Sequence, residues 1–242
     1  MARTLSLAST LCLLALAGQV GCNSMASTAL NTEGVRQYQN GSYQQAAVTF
    51  QKAIASNPQS ANAYYNLASA LHKNGKLSNR PADLQQAEQL YNQCLDYDPN
   101  HAECYRGLAV LLAETGRQDA SYRLLQGWAS RSPQLPDPKI ELARVYEESN
   151  NLQQAAASLE QAITIDPHNS RALTALGRLR ESTGDTTQAL ANYQRSLAIN
   201  RFQPAIEARV ASMQGVQGVT TPAVTPPNGT RTVQQWQSSV RY

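Results

Sequence analysis

Residues 136–169 read PDPKIELARVYEESNNLQQAAASLEQAITIDPHN. Ile140, Leu142, Ala143 and Tyr146 recur at helical spacing, a polar break follows at Ser149-Asn150-Asn151, and Leu152, Ala155, Ala156, Leu159, Ala162 and Ile163 resume the period. The stretch therefore predicts two amphipathic helices joined by a short turn, a hairpin that can bury its apolar faces only against neighbours. Those neighbours are present in the chain. Pro167 closes this stretch, and Pro58, Pro99 and Pro133 close earlier ones at successive spacings of 41, 34 and 34 residues. Ala46, Ala87, Ser121, Ala155 and Ala189 keep the same phase, stepping by 41, 34, 34 and 34. Two independent marks on one period mean internal repeats.

The units resemble the tetratricopeptide repeat family, whose signature is a Trp-x-x-Leu-Gly-x-x-Tyr run, an Ala-x-x-x-Phe run and a closing proline. The second unit carries Tyr64, Leu67, Ala68, Leu71, Ala87, Tyr91 and Pro99 at those places. The third has Tyr105, Leu108, Ala109, Leu112, Leu125 and Pro133, and the first keeps Gly34, Ala46, Phe50, Ala53 and Pro58. The resemblance covers residues 27–201 and implies an all-α, right-handed superhelical solenoid of five helix hairpins, at about 27–60, 61–101, 102–135, 136–169 and 170–203. A further helix at 204–214, beginning at Pro204, reads as the cap that covers the last apolar face. Glu33, Gln37, Lys139 and Arg180 stand where the family prefers apolar residues, while Ser121 and Trp128 break the small-residue pattern. Local irregularity is expected in those units.

Gly41, Gly75, Gly116, Gly184 and Asn150 follow the first helices and belong to the two residue types that tolerate a left-handed helix stop. Asp137 is placed to cap a helix starting at Pro138. Gly75 precedes Ala87 by 12 residues, against 5 between Gly41 and Ala46, which predicts an enlarged loop over Lys76–Asp83.

The two ends differ from the repeats. Arg3 precedes an apolar run over Leu5–Ala17, the length of a signal-peptide core and short for a membrane span. Ala15-Leu16-Ala17 offers an ordinary cleavage site, whereas Gln19-Val20-Gly21-Cys22 resembles a bacterial lipobox with Gln19 where Leu is usual. The reading favours 1–21 as signal peptide, Cys22 as the lipidated residue and 22–26 as a linker, which puts the chain in the cell envelope facing the periplasm. Without lipidation it would be periplasmic or secreted. Beyond Gly215 the composition turns to Val, Thr, Pro, Gly and Gln with Trp236 as the one large anchor, a disordered-tail composition for 215–242. Cys94 and Cys104 remain in the mature domain, and an even pair in an exported chain makes them a candidate disulfide.

A net charge of +3, scattered along the chain, argues against nucleic acid. Three histidines, His72, His101 and His168, form no acid–base constellation, and neither a phosphate loop nor a nucleophile elbow occurs. The expectation is a non-enzymatic scaffold with no cofactor and no metal. The resemblance implies a concave groove lined by the first helices, and places Asn31, Tyr38, Tyr65, His72, Lys73, Arg106, Arg144 and Arg178 on it. Of the residues that grip chaperone carboxylates in the family only Asn66 is matched, with Glu103 and Gly107 where cations stand, so that ligand is not expected. Arg106, Arg144 and Arg178, one per unit, form a candidate carboxylate- or peptide-binding ladder. The competing reading is a solvated face neutralised by Glu103, Glu114, Glu147 and Glu148. Tetratricopeptide lipoproteins of this size resemble those that assist assembly of pili, secretins or other envelope machines. The alternative is a peptidoglycan- or polysaccharide-associated module.

Overall fold

The structure is a computed structural model that describes residues 25–217. The signal segment, Cys22 and the tail around Trp236 lie outside the described residues. Within them every regular element is an α-helix: α1 (25–39), α2 (Tyr43–Ser56), α3 (Ala61–Leu77), α4 (Pro81–Tyr97), α5 (Ala102–Glu114) and α6 (Gln118–Arg131). The series continues with α7 (Asp137–Glu148), α8 (Leu152–Ile165), α9 (Ser170–Ser182), α10 (Thr186–Ile199) and α11 (Pro204–Gln217). Each helix packs on the next, as a solenoid of hairpins requires.

Helix ends follow local chemistry. Ser60, Asn151, Asn169 and Asp185 each accept a hydrogen bond from the backbone N–H three residues on, satisfying a donor that the first turn leaves orphaned. Gly41, Gly116 and Gly184 take φ of 80°, 78° and 87°, and Asn150 takes 56°, so four of the five expected left-handed stops are present. Gly75 is not among them. It is buried inside α3, where an added Cβ would stand 3.0 Å from Asp83 Cβ and Leu84 Cδ2, and the left-handed residue is Asn79 at φ 50°. Asp137 does not cap α7 either: it is the first helical residue after Pro136, and its carboxylate accepts from Arg171 Nη1 at 2.9 Å.

The enlarged loop expected over Lys76–Asp83 is also corrected. The extra residues lengthen α3 and α4 to 17 residues each and leave only Ser78, Asn79 and Arg80 between them. Lys76 and Leu77 continue a good helical run, Pro81 is preset for a helix start, and Asn74 Nδ2 donates to the buried Asp83 carboxylate at 2.7 Å.

Three packed clusters make a continuous core from unit one to unit five. Ala46, Ala87, Ser121, Ala155 and Ala189 are all fully buried, because two helices cross closely at each of them. The irregularity expected at Glu33, Gln37, Trp128 and Arg180 does not appear. Trp128 is fully buried, its ring stacked on Tyr105 with centroids 4.1 Å apart and its Nε1 donating to Asn100 Oδ1 at 3.1 Å. Glu33 accepts from Arg36 and Gln37, Thr49 donates to Gln37, and Arg180 pairs with Glu160, so each of these polar groups finds a partner. Among the described residues no helix is long and apolar enough to cross a membrane.

Candidate functional site

The first helices of the hairpins approach one another directly, α3 against α5 and α5 against α7, while no two second helices make comparable contact among the described residues. That asymmetry curves the stack and puts the first helices on its inner face. There, α1, α3 and the start of α5 enclose an open recess of about 610 Å³. Asn31, Asn62, Tyr65, Asn66, His101 and Glu103 line it, with hydroxyls from Ser27, Thr28, Thr32 and Ser60 and the side chain of Val35. Asn66 Nδ2 donates to Asn31 Oδ1 across adjacent repeats at 3.4 Å. The amides donate and accept alike, which suits a partner carrying its own peptide groups or hydroxyls.

One corner of the recess is rigid by construction. His101, one of the three histidines that form no acid–base constellation in the sequence, is buried and ties three elements together. Its Nδ1 accepts from the Cys104 N–H at 3.3 Å, capping α5, its Nε2 meets Asn62 Oδ1 at 2.8 Å, and its ring lies 5.6 Å from that of Tyr65. Cys94 and Cys104 form a disulfide between α4 and α5, with Cα atoms 6.5 Å apart. The two sulfurs and a His101 nitrogen lie within 4.8 Å of one another, the spacing that a metal would use. Both sulfurs are spent on the bridge and both ring nitrogens have protein partners, so these atoms hold the corner covalently and by hydrogen bonds.

Further along the inner face the arginines are engaged. Glu141, 1% exposed, accepts from Arg106 Nε at 2.9 Å and Nη2 at 2.8 Å, from Arg144 Nε at 3.4 Å, and from Arg171. Arg144 also reaches Glu148 at 2.5 Å, and Arg171 reaches Asp137. Three arginines from three successive units thus converge on one carboxylate, and Arg106 and Arg144 are not free forks. Arg178 is half-buried near Glu147, whose carboxyl is pushed up by burial while Arg178 and Arg144 pull it down. Sequence reasoning weighed four other glutamates as neutralisers and missed Glu141 and Arg171. The available signal was spacing, since Glu141 stands one helical turn before Arg144.

The remaining groove residues separate. Asn31 and Tyr65 belong to the recess, Tyr38 packs edge-on against Tyr43 at 5.0 Å, and Lys73 is exposed. His72, placed on the groove by the resemblance, has a side chain only 12% exposed. Its Nε2 meets Glu114 at 3.0 Å, and its Nδ1 lies 3.5 Å from the Tyr91 hydroxyl. Burial lowers its pKa, against the pull of Glu114.

Comparison with known proteins agrees with this architecture. Three family profiles match in succession: TPR repeat over residues 34–75, and two described as tetratricopeptide repeat over 82–139 and 140–204. No curated protein matches the chain. Among solved structures, TTC0263, a thermophilic TPR protein of Thermus thermophilus, is 24% identical, covers 78% of this chain and 99% of its own, and superposes with a TM-score of 0.59. PilF of Pseudomonas aeruginosa is 20% identical over 81% of this chain and 91% of its own, with a TM-score of 0.51. At such identities the likeness is one of fold. With its hairpins stacked at the family's period and its profiles matched from the first unit to the last, the chain belongs to the tetratricopeptide repeat family.

Proposed function

We propose that this chain is an exported scaffold, lipid-anchored through Cys22 in the bacterial envelope, that holds a segment of a protein partner in its inner recess and assists assembly of a larger envelope complex such as a pilus or a secretin. The family's fold is a protein-binding scaffold in general. The observation that carries the reading is the recess of about 610 Å³, whose hydrogen-bonding side chains come from three successive first helices. Its spread across repeats favours an extended segment over a compact small molecule. The apolar run at Leu5–Ala17 followed by Val20-Gly21-Cys22 supports export and anchoring. The scaffold works by position, with no catalytic step, no cofactor and no nucleic acid.

The test uses the full chain in its membrane. A photo-crosslinking residue at Asn66 should capture a discrete partner, and the same residue at the exposed Gln93 of the second helix α4 should not. Cys22→Ser should move the protein out of the detergent phase or leave it unprocessed. Equal capture from both positions would remove the recess from the mechanism. Unchanged partitioning of the Cys22→Ser protein would replace the anchored reading with simple secretion.

A further inference from the structure

Units two and three each carry a stacked pair of rings between first and second helix. Tyr64 stacks on Tyr97 with centroids 5.1 Å apart, and Tyr105 stacks on Trp128 at 4.1 Å. In unit four the residue 34 positions beyond Tyr105 is Lys139 and the one 34 beyond Trp128 is the buried Ala162, while Ser158 and Gln161 of α8 line the recess beside Lys139. No stacked pair stands at these two positions of unit four. A recess of about 480 Å³ opens on the outer face, between α6 and α8 with α7 as its floor.

Its lining is unlike that of the inner recess. Gln126, Gln154 and Gln161 contribute amides, Tyr122 and Tyr146 form a wall through a 2.9 Å contact between their hydroxyls, and Lys139 supplies the single charge. Lys139 is half-buried, and its ammonium has no ion pair or hydrogen bond among the described residues. No carboxylate lines the recess. The acids on adjoining elements are taken elsewhere: Glu160 by Arg180, Asp137 by Arg171, Glu148 by Arg144.

We propose that this outer recess binds a carboxylate-bearing glycan chain, with Lys139 on the carboxylate, the glutamine amides on sugar hydroxyls and the tyrosine wall against a ring face. An ammonium with no counter-charge among the residues around it offers a charge-assisted hydrogen bond to an incoming anion. Primary amides both donate and accept, matching hydroxyls in either sense, and tyrosine offers an apolar face beside a polar tip. A peptide fits less well, because helices leave no free main-chain edge for strand addition and the recess has no deep apolar pocket for an anchor. The inner and outer recesses lie on opposite faces, so the scaffold can hold a protein on one and a glycan on the other. Binding at the outer recess does not depend on binding at the inner one.

The probe is an oligogalacturonate titrated into isotope-labelled protein and followed by NMR. Saturable shifts should concentrate on the side-chain amides of Gln126, Gln154 and Gln161 and on the backbone around Lys139. Lys139→Leu, which installs the residue type that Leu173 provides at this position in unit five, should weaken binding by at least about tenfold. The methyl-esterified oligosaccharide should bind the natural protein about tenfold more weakly too. Absence of saturable shifts overturns the proposal, as does unaltered affinity in the Lys139→Leu protein or for the ester. An acidic peptide of equal charge that binds these residues as tightly overturns the glycan and assigns the recess to a protein.

Discussion

Ser121 shows how one atom can oppose an otherwise consistent position. Four units place alanine there, and all five side chains are fully buried. The Ser121 hydroxyl has no hydrogen-bond partner among the described residues. An unsatisfied buried hydroxyl costs about 1–3 kcal/mol, so Ser121→Ala should stabilise the chain by about 1 kcal/mol, read as a higher urea midpoint with an unchanged slope. A lower midpoint would mean that the hydroxyl has a use. His72 makes a second prediction at this scale. Its folded pKa lies below its ordinary value because burial disfavours the cation, against the opposing Glu114 and with Lys73 and Lys76 adding repulsion. The unfolded chain therefore takes up the proton first as pH falls from about 6.5. Stability should be full above that value and decline as pH drops through the lowered folded pKa, and His72→Gln should flatten this part of the curve. Glu114, itself held low by Lys76 and His72 against burial, adds a separate loss in the carboxylate range.

At the scale of elements, the junction of units three to five depends on Glu141. Arg106 on α5, Arg144 on α7 and Arg171 on α9 meet at its carboxylate, so one side chain fixes the register of three first helices. Removing one partner of a buried ion cluster costs about 3–5 kcal/mol, because the remaining charges are left uncompensated. Glu141→Ala should lose stability of that order, and hydrogen exchange should show the loss concentrated in α5, α7 and α9, with α1 and α2 protected as before. Uniform loss along the chain would mean that the cluster does not set local register.

The whole molecule stands or falls on covering its last hairpin. α11 lays Ile206, Val210 and Met213 against α10 as a half-buried stripe and has no second helix of its own among the described residues. Ending the chain before Pro204 should expose the apolar side of α10, lower the melting temperature and promote self-association, measurable by light scattering. A truncated chain that stays monomeric with the same melting point would remove the capping role.

The repeat period, the helix hairpins and most helix stops were legible in the sequence because they rest on local causes: apolar spacing, prolines at seams, and glycine or asparagine at left-handed turns. Gly75 and Lys76–Asp83 were misread because a glycine and extra length also fit a longer helix, and packing against Asp83 and Leu84 decided for the helix. The sites were legible only in part. Asn31 and Tyr65 were placed on the inner face by the family resemblance, whereas the roles of His101, Glu141 and Lys139 rest on side chains brought together from units tens of residues apart. A charge in a repeat carries no mark of whether the next unit will neutralise it. The order of residues was enough to specify a stack of helix hairpins, because each hairpin is encoded within its own unit. Which polar groups are spent on the stack and which face a partner emerged from the packed molecule, because that depends on distances between units that no single repeat contains.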